Sequence, residues 1–118
     1  MFRKRATKRA EITGQFEEAT LMAVFHLAGH AYGRPLLEEL TERLGRVVSV
    51  GAIYTTLDRL EQDGLVTSKL VEGEPTPKGV RTRRYYAITG AGIGALNDAH
   101  ENRRAIWAGI SFPIGAGR

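Results

Sequence analysis

The chain has 118 residues, 42% of them hydrophobic and 25% charged, with a formal net charge of +4 and no cysteine. That length holds one modest core, and the composition excludes a disordered chain. Disulfides and cysteine-ligated zinc are excluded, and no apolar run reaches the ~20 residues that span a bilayer.

Residues 1–10 carry five cations (Arg3, Lys4, Arg5, Lys8 and Arg9) and no acid. No apolar stretch follows them, so this is not the layout of a secretory signal, and the cytoplasm is the expected location. Residues 1–11 read as a basic arm. A second cluster, Lys78, Arg81, Arg83 and Arg84, also contains no acid. Clustered cations suit a polyanionic partner, although basic termini can serve solubility alone.

The first helix is expected from about Ile12 to Ala28, capped by Thr13 or Gly14 and closed by Gly29. From Ala19 onward it is apolar nearly all round, which predicts a buried second half. His26 lies in that run and reads as a core histidine. The second helix follows in HAYGRPLLEELTERLG. Pro35 suits its first position, where a missing N–H costs nothing. Leu36, Leu40 and Leu44 form one apolar stripe, and Gly45 supplies the left-handed stop. Glu38, Glu39 and Glu42 read as solvent face, with Glu39 able to pair with Arg43.

Ser49 begins the third helix as an N-cap. Val50, Ile53, Leu57 and Leu60 make its core-facing stripe, and Gly51, Thr55, Asp58 and Gln62 lie opposite. Gly64 ends it. The pattern then changes period. LVTSKLV and RRYYAI read as two strands, and Glu72–Thr82, with two prolines and two glycines, reads as the long loop between them. Tyr85 and Tyr86 alternate across the second strand, so one of them faces the core. Thr89 can cap a last helix from about Gly90 to Ala108. The early glycines of that helix (Gly90, Gly92, Gly94) each disfavour it by ~1 kcal/mol against alanine, so it needs packing support.

These elements predict a mainly α chain with a small β-hairpin. Residues 12–88 form a winged helix-turn-helix, 89–108 an additional C-terminal dimerisation helix, and 109–118 an irregular tail. Enzyme chemistry has no support: there is no cysteine nucleophile, no glycine-rich phosphate loop after a strand, and no spaced serine–histidine–acid set. His26, His30 and His100 lack metal-ligand spacing, so no metal and no cofactor is expected.

Two segments carry a more specific signal. Gly51-Ala52-Ile53-Tyr54, Leu57, Arg59-Leu60-Glu61 and Gly64-Leu65-Val66 are followed by Arg83-Arg84-Tyr85-Tyr86-Ala87-Ile88-Thr89 and Gly92. Together with Tyr32-Gly33, they resemble the PadR family of winged helix-turn-helix transcriptional regulators, in its short single-domain type. The resemblance runs from about Glu18 to Leu96. Gly90 and Ala91 stand where that family usually has an acidic residue.

The resemblance implies a DNA-binding regulator that acts as a homodimer. The residues are consistent with this on physical grounds. A helix entering the major groove by its N-terminal end must present small or hydrogen-bonding side chains, and Ser49, Gly51, Ala52 and Thr55 do so. Tyr54 can reach a phosphate through its hydroxyl, or pack its ring against the hairpin. Arg59 flanks the same helix. Lys78, Arg81 and Arg83 would set the hairpin on the neighbouring backbone, adding affinity rather than sequence discrimination. Arg84 can do the same or pair with an acid such as Glu61.

In the last helix Ile93, Leu96, His100, Arg103 and Trp107 recur at helical spacing. This stripe is the expected dimer contact, and two recognition helices so related predict a palindromic operator. A promoter-blocking repressor is the expected role. Some family members bind flat aromatic ligands between subunits, which implies an effector site at Trp107, His100 and Phe112. A winged helix used for protein or RNA contact, without operator recognition, is the alternative.

Overall fold

Gly14 starts helix α1, Gln15–Leu27. The computed structural model describes residues 11–12 and 14–111, so the basic arm, the Thr13 cap and Phe112 lie outside it. Thr20, Leu21, Ala23 and Val24 of α1 are buried, and the Thr20 hydroxyl donates to the Phe16 carbonyl at 2.7 Å. The last turn departs from the expectation of all-round burial. Phe25 is 50% exposed, and His26 is an exposed residue that meets the Glu39 carboxylate at 2.9 Å. Neighbours cover only one side of this turn, so the apolar run continues into solvent on the other. His26 is therefore a surface group set against a carboxylate, and Glu39, which also accepts from Arg43 at 2.6 Å, is largely covered rather than solvent-facing.

Helix α2 runs Gly33–Leu44, with extended Tyr32 as its N-cap and Gly45 closing it at φ 68°. Pro35 thus sits third, not first. The substitution of register is cheap, because the first-turn N–H groups have no partner within the helix anyway. Leu36 and Leu40 are fully buried, while Leu44 is half-buried.

Helix α3, Val50–Gln62, begins at Ser49, whose hydroxyl oxygen accepts the Ala52 N–H at 3.1 Å. Ile53, Thr56, Leu57 and Leu60 face the core. Val50 does not: it is 51% exposed, because the core starts one turn further along.

The hairpin is longer than expected. Strand β1, Val66–Thr76, pairs antiparallel with β2, Gly79–Ile88, from Val66↔Ile88 out to Thr76↔Gly79. Most of the expected loop is therefore paired strand. An irregularity between Glu72 and Pro75 absorbs the proline, as an edge strand permits. The Tyr86 N–H donates to the Ala31 carbonyl at 2.9 Å, tying the chain between α1 and α2 to the other edge of β2.

Helix α4, Gly90–Ile106, ends two residues earlier than expected, with Trp107 as C-cap. Thr89 does two jobs at its start: Oγ1 accepts the Gly92 N–H at 3.0 Å and donates to the Gly64 carbonyl at 2.7 Å. Leu21, Val24, Leu36, Leu40, Ile53, Leu57, Leu60, Leu65, Val66 and Tyr86 belong to a single core. The far half of α4 lies outside it, and every described residue from His100 onward is exposed. No described helix is long and apolar enough to cross a membrane.

Candidate nucleic-acid interface

The small residues at the start of α3 are on the surface. Ser49, Gly51, Ala52 and Thr55 are all exposed, and a Cβ built on Gly51 would meet nothing within 4 Å. A duplex can therefore approach the backbone of the first turn without displacing protein atoms. The Ser49 oxygen accepts the cap hydrogen bond with one lone pair, which leaves its proton and second lone pair for a ligand.

Of the two roles set out for Tyr54, the packing of its ring against the hairpin is the one visible in the structure. Its ring is half-buried and lies 6.5 Å, centroid to centroid, from that of Tyr86. Its hydroxyl sits 3.4 Å from where a Cβ on Gly33 would stand. The ring thus fixes α3 against the hairpin, and the hydroxyl reaches the start of α2. Of the two strand tyrosines Tyr86 is the core one, and burial pushes its phenol up to about 12.

The hydroxyl of Tyr54 opens onto a cleft of about 330 Å³ shared by Tyr32, Gly33, Arg34 and the stretch Arg81–Arg84. Sequence reasoning marked Arg81 and Arg83 but missed Tyr32 and Arg34 as members of this group. Arg83 lies with Cζ 4.4 Å from the Tyr32 ring centroid, and the Tyr32 and Tyr85 rings are 4.9 Å apart. A hydrogen bond to the Tyr85 hydroxyl holds the Arg83 guanidinium above its ordinary value. No local motif marks this stack, because it needs Tyr32 and Arg83 brought together from distant parts of the sequence. Lys78 sits in the hairpin turn, where its N–H donates to Thr76 Oγ1 at 3.2 Å, and its side chain is exposed.

Two other candidates are engaged within the chain. Arg59 is turned to α1, where Nη2 meets the buried Glu17 carboxylate at 2.5 Å. A buried carboxylate needs such a partner, so Arg59 is a structural cation rather than part of the cleft. Arg84 donates to Ser68 Oγ at 2.9 Å, and Ser68 in turn donates to Glu61. The expected link to Glu61 is thus made through a serine.

The stripe on α4 also divides. Ile93 and His100 are exposed and Trp107 is 48% exposed, but Leu96 packs against the chain's own core. Arg103 forms a two-pronged bridge to Glu18 of α1 at 2.7 and 2.8 Å. That hydrogen bond holds the Glu18 carboxyl below its usual range, against the opposing effect of burial. Between α1 and α4 lies a cleft of about 640 Å³ with Ile12, Met22, Leu44 and Ile106 in its walls. Trp107 and His100, the described members of the expected effector site, lie on the exposed end of the helix. Among the described residues no group of acids and histidines could hold a metal ion.

Residues 21–98 match the Transcriptional regulator PadR-like family. The chain is 39% identical over 99 residues to the Transcriptional regulator Rv3488 of Mycobacterium tuberculosis, which covers 78% of this chain and 80% of that protein. Its fold is similar to a PadR-like transcription factor from Bacteroides fragilis, with TM-score 0.62, 23% identity, and 76% of this chain and 81% of that chain covered. RosR of H. salinarum is similar at TM-score 0.58 and 27% identity, covering 84% of this chain and 81% of that chain. Helices α2 and α3 and the arginine–tyrosine hairpin fall within the matched stretch, which also takes in the first half of α4. This chain belongs to the PadR-like family of transcriptional regulators, and its chemistry is DNA binding rather than catalysis.

Proposed function

We propose that the protein is a homodimeric repressor of the cytoplasm that binds a palindromic operator. Helix α3 enters the major groove, with Gly51, Ala52 and Thr55 at base edges and Ser49 at the backbone. Lys78, Arg81 and Arg83 lie along the adjoining phosphates, where each cation adds affinity by releasing counterions. The observation that carries this reading is the shared cleft: Tyr54 from the first turns of α3 and the β2 arginines open to the same side. A duplex laid across α3 meets both.

The second subunit is a copy of this chain seated on α4 and α1. The far end of α4 gains no cover from its own core, yet presents Ile106 at 75% exposure beside Trp107. A short chain that leaves this much apolar surface on one helix supports an isologous contact there. A planar aromatic effector between the subunits, against Trp107 and His100, is the finer part of this reading. Its titration should quench Trp107 emission, and unchanged emission across a panel of planar aromatics removes it.

Fluorescence anisotropy on the DNA upstream of the protein's own gene tests the main reading. Beside a scrambled duplex at two salt concentrations, the native duplex should bind tightly and lose affinity steeply with salt. Tyr54→Ala should weaken it. Equal, weak binding to both duplexes would instead favour a winged helix that contacts protein or RNA.

A further inference from the structure

Arg34 and Arg83 face one cleft from two elements that sequence distance keeps apart. Arg34 is the second residue of α2, and Arg83 lies in the middle of β2. No carboxylate lines the cleft among the described residues, while Arg81 and Arg84 add to its positive wall. We propose that this cleft seats one backbone phosphate of bound duplex DNA, held between Arg34 and Arg83, with Tyr32 as the positioning residue for Arg83.

The cations are held in different ways. Arg84 is committed to Ser68, and Arg59 and Arg103 to carboxylates of α1. Arg83 instead lies against an aromatic platform: Tyr32 beneath its guanidinium, Tyr85 beside Tyr32, and the Tyr85 hydroxyl as hydrogen-bond partner. None of those partners neutralises its charge. An exposed arginine otherwise samples many rotamers, so the platform leaves it oriented and still charged before any ligand arrives. Arg34 is held only loosely, in an exposed ion pair with Glu38 one turn along α2. The contact is long, at 3.9 Å, and the Arg34 side chain is 82% exposed. The opening also faces the first turn of α2, where no side chain caps the N–H groups. Planar guanidinium groups and the Tyr54 phenol in one lining match the oxygens of a phosphodiester.

Such a seat carries no sequence information. It fixes how deep and at what angle α3 lies in the groove. This inference rests on the duplex-binding reading above and assigns it two residues, Tyr32 and Arg34, that the recognition helix and hairpin tip do not include.

The test uses the full-length protein and a random 30-base-pair duplex, so it does not depend on the operator. Affinity is measured across a fourfold range of salt for the wild type, Arg34→Gln, Tyr32→Leu, Tyr32→Phe and Arg104→Gln. Loss of one phosphate contact lowers the slope of log affinity against log salt by about 0.9. Arg34→Gln and Tyr32→Leu should each show it, losing about threefold less affinity than the wild type across that range. Tyr32→Phe keeps the ring and should keep the slope, which a merely structural role for the phenol would not explain. Arg104, paired with Glu101 on α4, is the control cation. Melting temperatures of all variants separate a lost seat from a lost fold. A steep wild-type slope that Arg34→Gln leaves unchanged overturns the seat and spares the duplex-binding reading. A flat wild-type slope overturns both. Should inorganic phosphate raise the melting temperature of the wild type but not of Arg34→Gln, with all slopes equal, the cleft would belong to a free anion and the proposal would fail.

Discussion

A methyl group added at Gly92 would stand 2.3 Å from the Leu65 carbonyl oxygen and 2.6 Å from Ile88 Cγ1. Neither can retreat, since the Leu65 carbonyl also accepts the Thr89 N–H at 3.0 Å. Alanine improves helix propensity by ~1 kcal/mol, but overpacking against backbone costs about 1–3 kcal/mol, so the clash wins. Gly92→Ala should lower the melting temperature. Gly90→Ala, with open space around its Cβ, should raise it by the equivalent of up to about 1 kcal/mol. Calorimetry on the pair checks the sign of each. The penalty charged to these glycines on sequence grounds thus applies at Gly90, and at Gly92 it is overruled by a close approach that no local pattern reveals. Tyr86 makes a second residue-scale prediction. Its phenol rises from 10 to about 12 through burial, so the folded state holds its proton over a range where the unfolded chain has released it. Stability is intact below pH ~10 and is lost as pH rises toward ~12. In Tyr86→Phe that alkaline loss, followed by circular dichroism, should be reduced.

At the scale of elements, caps and ion pairs decide where helices begin and what they lean on. Ser49→Ala removes the acceptor for the Ala52 N–H and should cost about 1 kcal/mol, read as a lower urea midpoint. Both that cap and the one at Thr89 were legible, because an N-cap is a short-range event between residues three apart. The adjoining acids Glu17 and Glu18 were not. They lie about 100° apart on α1, so one grips Arg59 on α3 and the other Arg103 on α4. Sequence reasoning had turned Arg59 to DNA and Arg103 to a partner subunit, since a cation's partner across 42 or 85 residues leaves no local trace. Glu18 also sets an acid limit. Its carboxyl is held low by Arg103, so the bridge stabilises the fold above the ordinary value of 4.5 and is lost as pH falls through the lowered one. Glu18→Gln should therefore melt earlier than the wild type at neutral pH, and the gap should narrow as the buffer is acidified below pH 4.5.

For the whole molecule the question is what covers α4. If the partner is a second copy, Trp107→Ala removes a central aromatic anchor. Such truncations typically cost about 2 kcal/mol or more, roughly 30-fold in dimer dissociation constant. Sedimentation velocity across a concentration series would show it as a shift toward monomer, and a dimer unaffected by the substitution would place the contact elsewhere. Much of the molecule was determined by the sequence itself. Helix spacing, caps and glycine stops set four helices and a hairpin, and the paired glycine–aliphatic–tyrosine and arginine–tyrosine–tyrosine segments carried the family, because both signals are local and periodic. The tertiary structure decided what those signals leave open: the surface position of His26, the paired strand through Glu72–Thr82, the retirement of Arg59 into an ion pair, and the meeting of Tyr32, Arg34 and Arg83. Each depends on which distant element happens to face a residue. A periodic pattern tells a side chain which face to take, but only the packed fold tells it what stands opposite.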